Sequence, residues 1–147
     1  MTLMELKKGL IKRMQTRYPP VMYRYYGIEV VEGYVRPAFF TQLRPVSMED
    51  ANLNSTENIL TFYINYFQKR PDEADILRKV DEIRELFRHC VKIGDRAVDI
   101  SGFSYDFIGS DKNILEISFD LSFFGKWEKE STETLMESVL ANTSLEG

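Results

Sequence analysis

The series Leu115, Ile117, Phe119, Leu121 and Phe123, interleaved with Glu116, Ser118, Asp120 and Ser122, restricts the fold of this chain more than any other feature. Side chains alternate across a strand, so this segment must lay one apolar face on a core and leave the other polar. Leu60, Phe62, Ile64 and Tyr66 repeat the pattern against Thr61, Tyr63 and Asn65. Phe103, Tyr105 and Phe107 do so against Ser104 and Asp106, and a turn over Gly109 to Asn113 makes a hairpin with the strand that follows. Shorter extended segments are predicted at Met22 to Tyr26, before a turn at Gly27, and at Ala38 to Leu43, after Pro37. Arg44 to Asn58 is polar and without periodicity, and reads as a long loop of the kind that is usually functional or disordered.

Two helices accompany these strands. Thr2-Leu3-Met4-Glu5 has the form of a capping box, and Leu3, Leu6, Leu10 and Met14 follow as one apolar stripe until Pro19-Pro20 ends the helix. The second starts near Pro71-Asp72, carries Ile76, Val80, Ile83, Phe87 and Cys90 as its buried stripe, and stops at Gly94. Asp81, Glu82 and Glu85 interleave with Arg78, Lys79, Arg84 and Arg88, as on a solvated face. The expected class is α+β, with a mostly antiparallel sheet of four to five strands and two main helices on one face. Residues 1–125 are expected to form one domain, and 126–147 an acidic arm or short helix on which Trp127, Leu135 and Val139 are the apolar contacts.

Composition narrows the functional classes. The chain has 147 residues, 44% hydrophobic and 29% charged, which suffices for a core without a metal or disulfide. The single cysteine, Cys90, excludes an intrachain disulfide and fits a reducing compartment. No apolar run ahead of a cleavage site reads as a signal peptide, and none approaches the roughly 18 consecutive residues of a membrane span. A cytosolic protein with no membrane partner is expected. The net charge of −4 is uneven: Lys7, Lys8, Lys12, Arg13, Arg17 and Arg24 face Glu5 alone at one end, whereas Glu128, Glu130, Glu133, Glu137 and Glu146 outnumber Lys126 and Lys129 at the other. Opposite-signed ends suit head-to-tail contacts between copies.

The residues for chemistry are few. His89 is the only histidine, and its neighbour Cys90 would point elsewhere on a helix, so no nucleophile–base pair is expected. His89 reads as a surface residue near a helix C-terminus and Cys90 as a core residue. Two Cys and His residues in all do not make a zinc site, and no phosphate loop, dinucleotide turn or EF-hand is present, so no cofactor, metal or catalytic residue is assigned. The basic first helix with Tyr18, Tyr23, Tyr25 and Tyr26 nearby is the one arrangement resembling a nucleic-acid platform, although these tyrosines suit a subunit interface equally well.

The segment Tyr26-Gly27-Ile28-Glu29-Val30-Val31-Glu32-Gly33-Tyr34-Val35-Arg36-Pro37-Ala38-Phe39-Phe40 resembles the signature of tail terminator proteins of phages and phage-tail-like bacteriocins of Gram-positive bacteria. The order of elements is similar over about residues 1–125, and the acidic tail lies beyond the resemblance. In physical terms Gly27, Gly33, Pro37 and Phe39 are structural, and Phe40 must point away from Phe39. The resemblance implies a fold like that of tail-tube subunits and a homohexameric ring on the head-proximal end of the tail tube. Such a ring ends tube polymerisation and offers a docking face to the neck, collar or head connector, and to the sheath in contractile tails. It is assembled in the host cytoplasm, and DNA passes its lumen without specific binding. Arg44, Met48, Glu49, Asp50 and Asn54 of the predicted loop, with Tyr25, Tyr26 and Phe40, are the expected contact residues. A different neck or head-completion protein, a nucleic-acid-binding accessory protein using the first helix, and a small hydrolase are the alternatives.

Overall fold

The computed structural model describes residues 1–30, 32–109 and 114–126. Its elements are α1 (Leu3–Arg17), β1 (Arg24–Tyr26), β2 (Ala38–Asn52), β3 (Ser55–Phe67), α2 (Glu73–Phe87), β4 (Cys90–Ile93), β5 (Arg96–Ile108) and β6 (Ile114–Lys126). The strands form one six-stranded sheet in the order β1-β2-β3-β6-β5-β4. The β1–β2 pair is parallel and the other four are antiparallel, so the sheet is mixed and larger than the four to five strands expected.

The two strongest alternations behave as physics requires. Leu60, Phe62, Ile64 and Tyr66 of β3 lie beside Leu121, Phe119, Ile117 and Leu115 of β6, and all eight are buried. Leu6, Leu10 and Met14 of α1 and Ile76, Ile83 and Phe87 of α2 belong to the same core. The capping box at α1 is present: the Thr2 hydroxyl accepts from the Glu5 amide at 3.1 Å, and the Glu5 carboxylate accepts from the Thr2 amide at 2.9 Å. Phe39 is buried and Phe40 faces the opposite side among Tyr26, Tyr34 and Phe67.

Three expectations require correction. Arg44 to Asn58 is not a loop: it is the outer part of a long hairpin in which only Leu53 and Asn54 link β2 to β3. The β2 strand from Met48 to Asn52 is exposed on both faces, so no apolar alternation marks it as a strand. Pro45 is tolerated because the register shifts between Pro45 and Ser47, leaving Val46 as the extra residue of a bulge. Second, α2 stops at Phe87, where Arg88 takes a φ of 47° and donates its amide to Arg84 O at 2.8 Å. The chain reverses into β4, so Cys90 is exposed on a strand, Val91 takes the core position, and Gly94 (φ 61°) turns β4 into β5. Third, the β5 alternation is not half-buried along its length: Phe103 packs on the core, whereas Tyr105 and Phe107 are exposed.

Lys79 also departs from its sequence reading, since it is buried rather than solvated. Its ammonium lies 5.2, 5.4 and 5.1 Å from the ring centres of Tyr18, Tyr23 and Tyr66, and 2.9 Å from Asp75 Oδ1. Asp75 also accepts from the Tyr66 hydroxyl at 2.6 Å and from Gln68 Nε2 at 3.0 Å. The Tyr18 hydroxyl donates to Glu82 at 3.1 Å, and Glu82 is bridged by Arg17. One ionic cluster thus ties α1, β3 and α2 together. Burial pushes the Asp75 carboxyl up, but hydrogen bonds from Gln68, Tyr66 and Lys79 and the Lys79 charge outweigh it and hold its pKa below the ordinary value.

Lys79→Met is expected to destabilise the fold by about 2–3 kcal/mol in urea titrations, because it leaves Asp75 only the exposed Arg78, 4.0 Å away, as a cation and removes three ring contacts. A carboxylate with a depressed folded pKa contributes stability above its unfolded pKa and loses it as pH falls through the folded value. Urea midpoints should therefore fall on acidification below about pH 4, and Asp75→Asn should flatten that limb while lowering stability at pH 7.

Candidate interaction surfaces

Strand length creates the first surface. β2 pairs with β3 almost throughout, but β1 covers it only from Ala38 to Phe40. Among the described residues no strand pairs with the outer edge of β2 from Thr41 to Asn52. On the other side of the sheet, β4 covers β5 only from Arg96 to Asp99. The stretch Gly102–Ile108 pairs with β6 alone, so its outer edge also lacks a strand among the described residues. Tyr105 and Phe107 stand opposite Ile117 and Leu115, on the helix-facing side, and are 57% and 37% exposed. They extend the core's apolar row beyond what α2 covers. On β2, Leu43 opposite Phe62 and Met48 opposite Asn58 sit on the same side of the sheet, Leu43 packed against the core and Met48 exposed.

The protruding hairpin is the second surface. Glu49 stands directly opposite Glu57, Asp50 opposite Thr56, and the Asn54 amide donates to Asn52 Oδ1 at 2.9 Å across the tip. Leu53, at 93% exposure, caps it, and Phe124 of β6 lies beside Glu57 and is also exposed. A like-charged cross-strand pair with an apolar tip contributes little to folding.

The third lies on the sheet face away from the helices, where Phe40, Gln42, Arg44, Tyr63, Asn65 and Glu116 line a half-open cleft of about 480 Å³. Arg44 lies 5.3 Å from the Tyr63 ring centre. Asn65 Oδ1 is buried and has no hydrogen-bond partner among the described residues.

The structure distributes the contact residues expected from sequence unevenly. Met48, Glu49, Asp50 and Asn54 share the hairpin, and Arg44 sits at its base on the cleft side. Tyr26 and Phe40 lie in the outer aromatic cluster, with the Tyr26 hydroxyl accepting from the Val35 amide at 3.0 Å. Tyr25 turns inward instead: its ring stacks on Phe39 and its hydroxyl donates to Tyr18 O at 2.6 Å. Gly27 opens a turn in which its carbonyl accepts from the Val30 amide, and Gly33 adopts a φ of 79° that disfavours other residues. Trp127, Leu135 and Val139 lie outside the described residues. Sequence reasoning did not find Tyr105 and Phe107 as surface residues, because their alternation reads as a buried face. The basic helix is also partly engaged: Arg13 donates to Leu86 O at 3.3 Å and Arg17 binds Glu82, leaving Lys8 and Lys12 as its exposed lysines.

No curated protein matches the chain. The family model described as phage tail terminator protein matches residues 5–133, which reaches past β6 into the acidic segment that the sequence resemblance had left out. With that match covering most of its length, the chain belongs to the phage tail terminator family, a family of structural proteins of the phage tail.

Proposed function

We propose that copies of this subunit close into a ring, of about six, which caps the head-proximal end of the tail tube and ends its growth. The pair of free edges on opposite sides of one sheet carries this reading. β2, β3, β6 and β5 alternate in direction, so β5 of one copy and β2 of the next meet antiparallel and continue the same alternation. Two different surfaces make the contact, which is the heterologous geometry that generates rings. Joining them satisfies backbone groups that otherwise invite uncontrolled pairing, and it brings Tyr105 and Phe107 towards Leu43 and Met48 of the neighbour.

The hairpin is the element for the tube. It projects beyond the helices, its outer β2 strand is exposed on both faces, and its Leu53 tip is apolar, so it contributes to contacts outside the subunit rather than to the core. The opposite rim of the ring then faces the neck or head connector, and the sheath in a contractile tail. The product is a virion-associated protein whose work is interface formation, not turnover.

Tyr105→Lys combined with Phe107→Glu should leave the circular dichroism spectrum of the subunit unchanged and abolish chemical cross-linking into closed rings. Cross-linking at the wild-type level would place the subunit contact elsewhere. Leu53→Asp should preserve ring formation but fail to arrest polymerising tail tubes, so that tube lengths in negative stain match those without terminator. Normal arrest by this variant would remove the hairpin from the tube contact.

A further inference from the structure

The end of α2 and the turn into β4 form a cleft of about 340 Å³, lined by Asp81, Arg84, Glu85, Arg88 and His89. Arg84 lies 5.3 Å from the ring centre of Phe103, which sets the cleft against the start of the open edge of β5. Arg88 is the one non-glycine residue with a positive φ among the described residues. A glycine would turn the chain there without that strain. The exposed Arg88 side chain gives this subunit only a surface ion pair of 3.6 Å with Glu85. Arg13 adds a further cation at the same end of α2, donating to Leu86 O, so arginines outnumber Asp81 and Glu85 there.

The hairpin is opposite in charge. From residue 45 to 68 the chain has no Lys, Arg or His, and its acids are Glu49, Asp50 and Glu57. Asp50 stands opposite Thr56, on the same side of the sheet as Leu43, Pro45 and Met48. When the open edge of β5 takes up β2 of the next copy, Leu43 opposite Phe107 puts Pro45 opposite Tyr105, all four on the helix-facing side. Met48 then comes level with Gly102 and Phe103. Past that point the edge is closed, because the Ile100 amide donates to His89 O at 2.8 Å and β4 pairs with β5 from Asp99. The outer part of the incoming hairpin cannot continue the ladder and meets the α2–β4 corner instead.

We propose that the acidic hairpin of one copy docks on the Arg84–Arg88–His89 corner of the next, with Met48 over Phe103 and Asp50 replacing Glu85 as the partner of Arg88. The Leu53 tip stands clear of this contact. The inference rests on the β5-to-β2 contact of the ring and adds to it the charged surface that fixes the register of joining.

Two measurements separate the docking from the ring itself. Asp50→Cys with His89→Cys, on a Cys90→Ser background, places one thiol on β2 and the other just before β4, with β3, β6 and β5 between them in the sheet. A disulfide between them therefore joins two copies. Mild oxidation should give a ladder on non-reducing gels that ends at the copy number of the ring, and neither single-cysteine variant should pass beyond dimer. Arg84→Glu with Arg88→Glu should leave the circular dichroism spectrum unchanged and raise the concentration of half-assembly in light scattering several-fold. Adding Glu49→Lys and Asp50→Lys should restore it. Rings that form without the ladder, or that ignore the charge reversal, would overturn the docking and leave the edge contact standing. A parent chain that stays monomeric would overturn both.

Discussion

A strand of 13 residues such as β3 or β6 extends about 43 Å, whereas a helix of 15 residues such as α1 or α2 extends about 22 Å. Two helices on one face bury β3 from Asn58 to Tyr66 and β6 from Leu115 to Phe123 but leave the ends of the longer strands uncovered, and most of the remaining architecture follows from that mismatch. Where the helices lie, β3 and β6 bury an unbroken apolar row. Beyond them, β2 and β3 continue as an exposed hairpin and β5 continues past the end of β4. A subunit that leaves strand ends standing in solvent, with an open stretch of edge on β2 and another on β5 among the described residues, is shaped for use in an assembly.

The helices must nevertheless be held firmly, because they alone close the core. The cluster of Lys79, Asp75, Tyr66, Tyr18, Glu82 and Arg17 does this at the C-terminal end of α1, while Gly9 permits the close approach to β4 nearer its N-terminus. Buried ion pairs are weak sources of net stability, but losing one partner is costly, so such a cluster favours one packing of α1 on α2 over alternatives. Fixing the helices fixes the twist of the sheet beneath them, and thereby the directions in which both free edges point.

Much of the fold was legible in the sequence wherever a residue's environment is one-sided. The period-two runs at Leu60–Tyr66 and Leu115–Phe123, the capping box at Thr2–Glu5 and the opposed directions of Phe39 and Phe40 all report burial against solvent. The hairpin was not legible, because its outer β2 strand meets solvent on both faces and nothing selects for alternation. The end of α2 was missed for a different reason. Cys90 continues a helical apolar spacing, and the left-handed Arg88 that ends the helix has no glycine or proline to announce it. Of the candidate surfaces, the hairpin residues were found as a polar stretch, while Tyr105 and Phe107 were hidden by a pattern that normally denotes a core. Lys79 was likewise hidden, since its three tyrosines come from separate parts of the chain.

That same one-sidedness defines what assembly must supply. The subunit leaves Tyr105, Phe107, Met48 and Leu53 exposed and, among the described residues, a stretch of β2 and a stretch of β5 without a neighbouring strand, on opposite sides of a single sheet. The most direct measurement is the solution mass of the full chain by light scattering across a concentration series, with negative-stain images of the largest species. A closed ring near six subunits, present alone or on added tail tubes, is the predicted result. A monomer that stays monomeric at every concentration, even with tail tubes present, would contradict it.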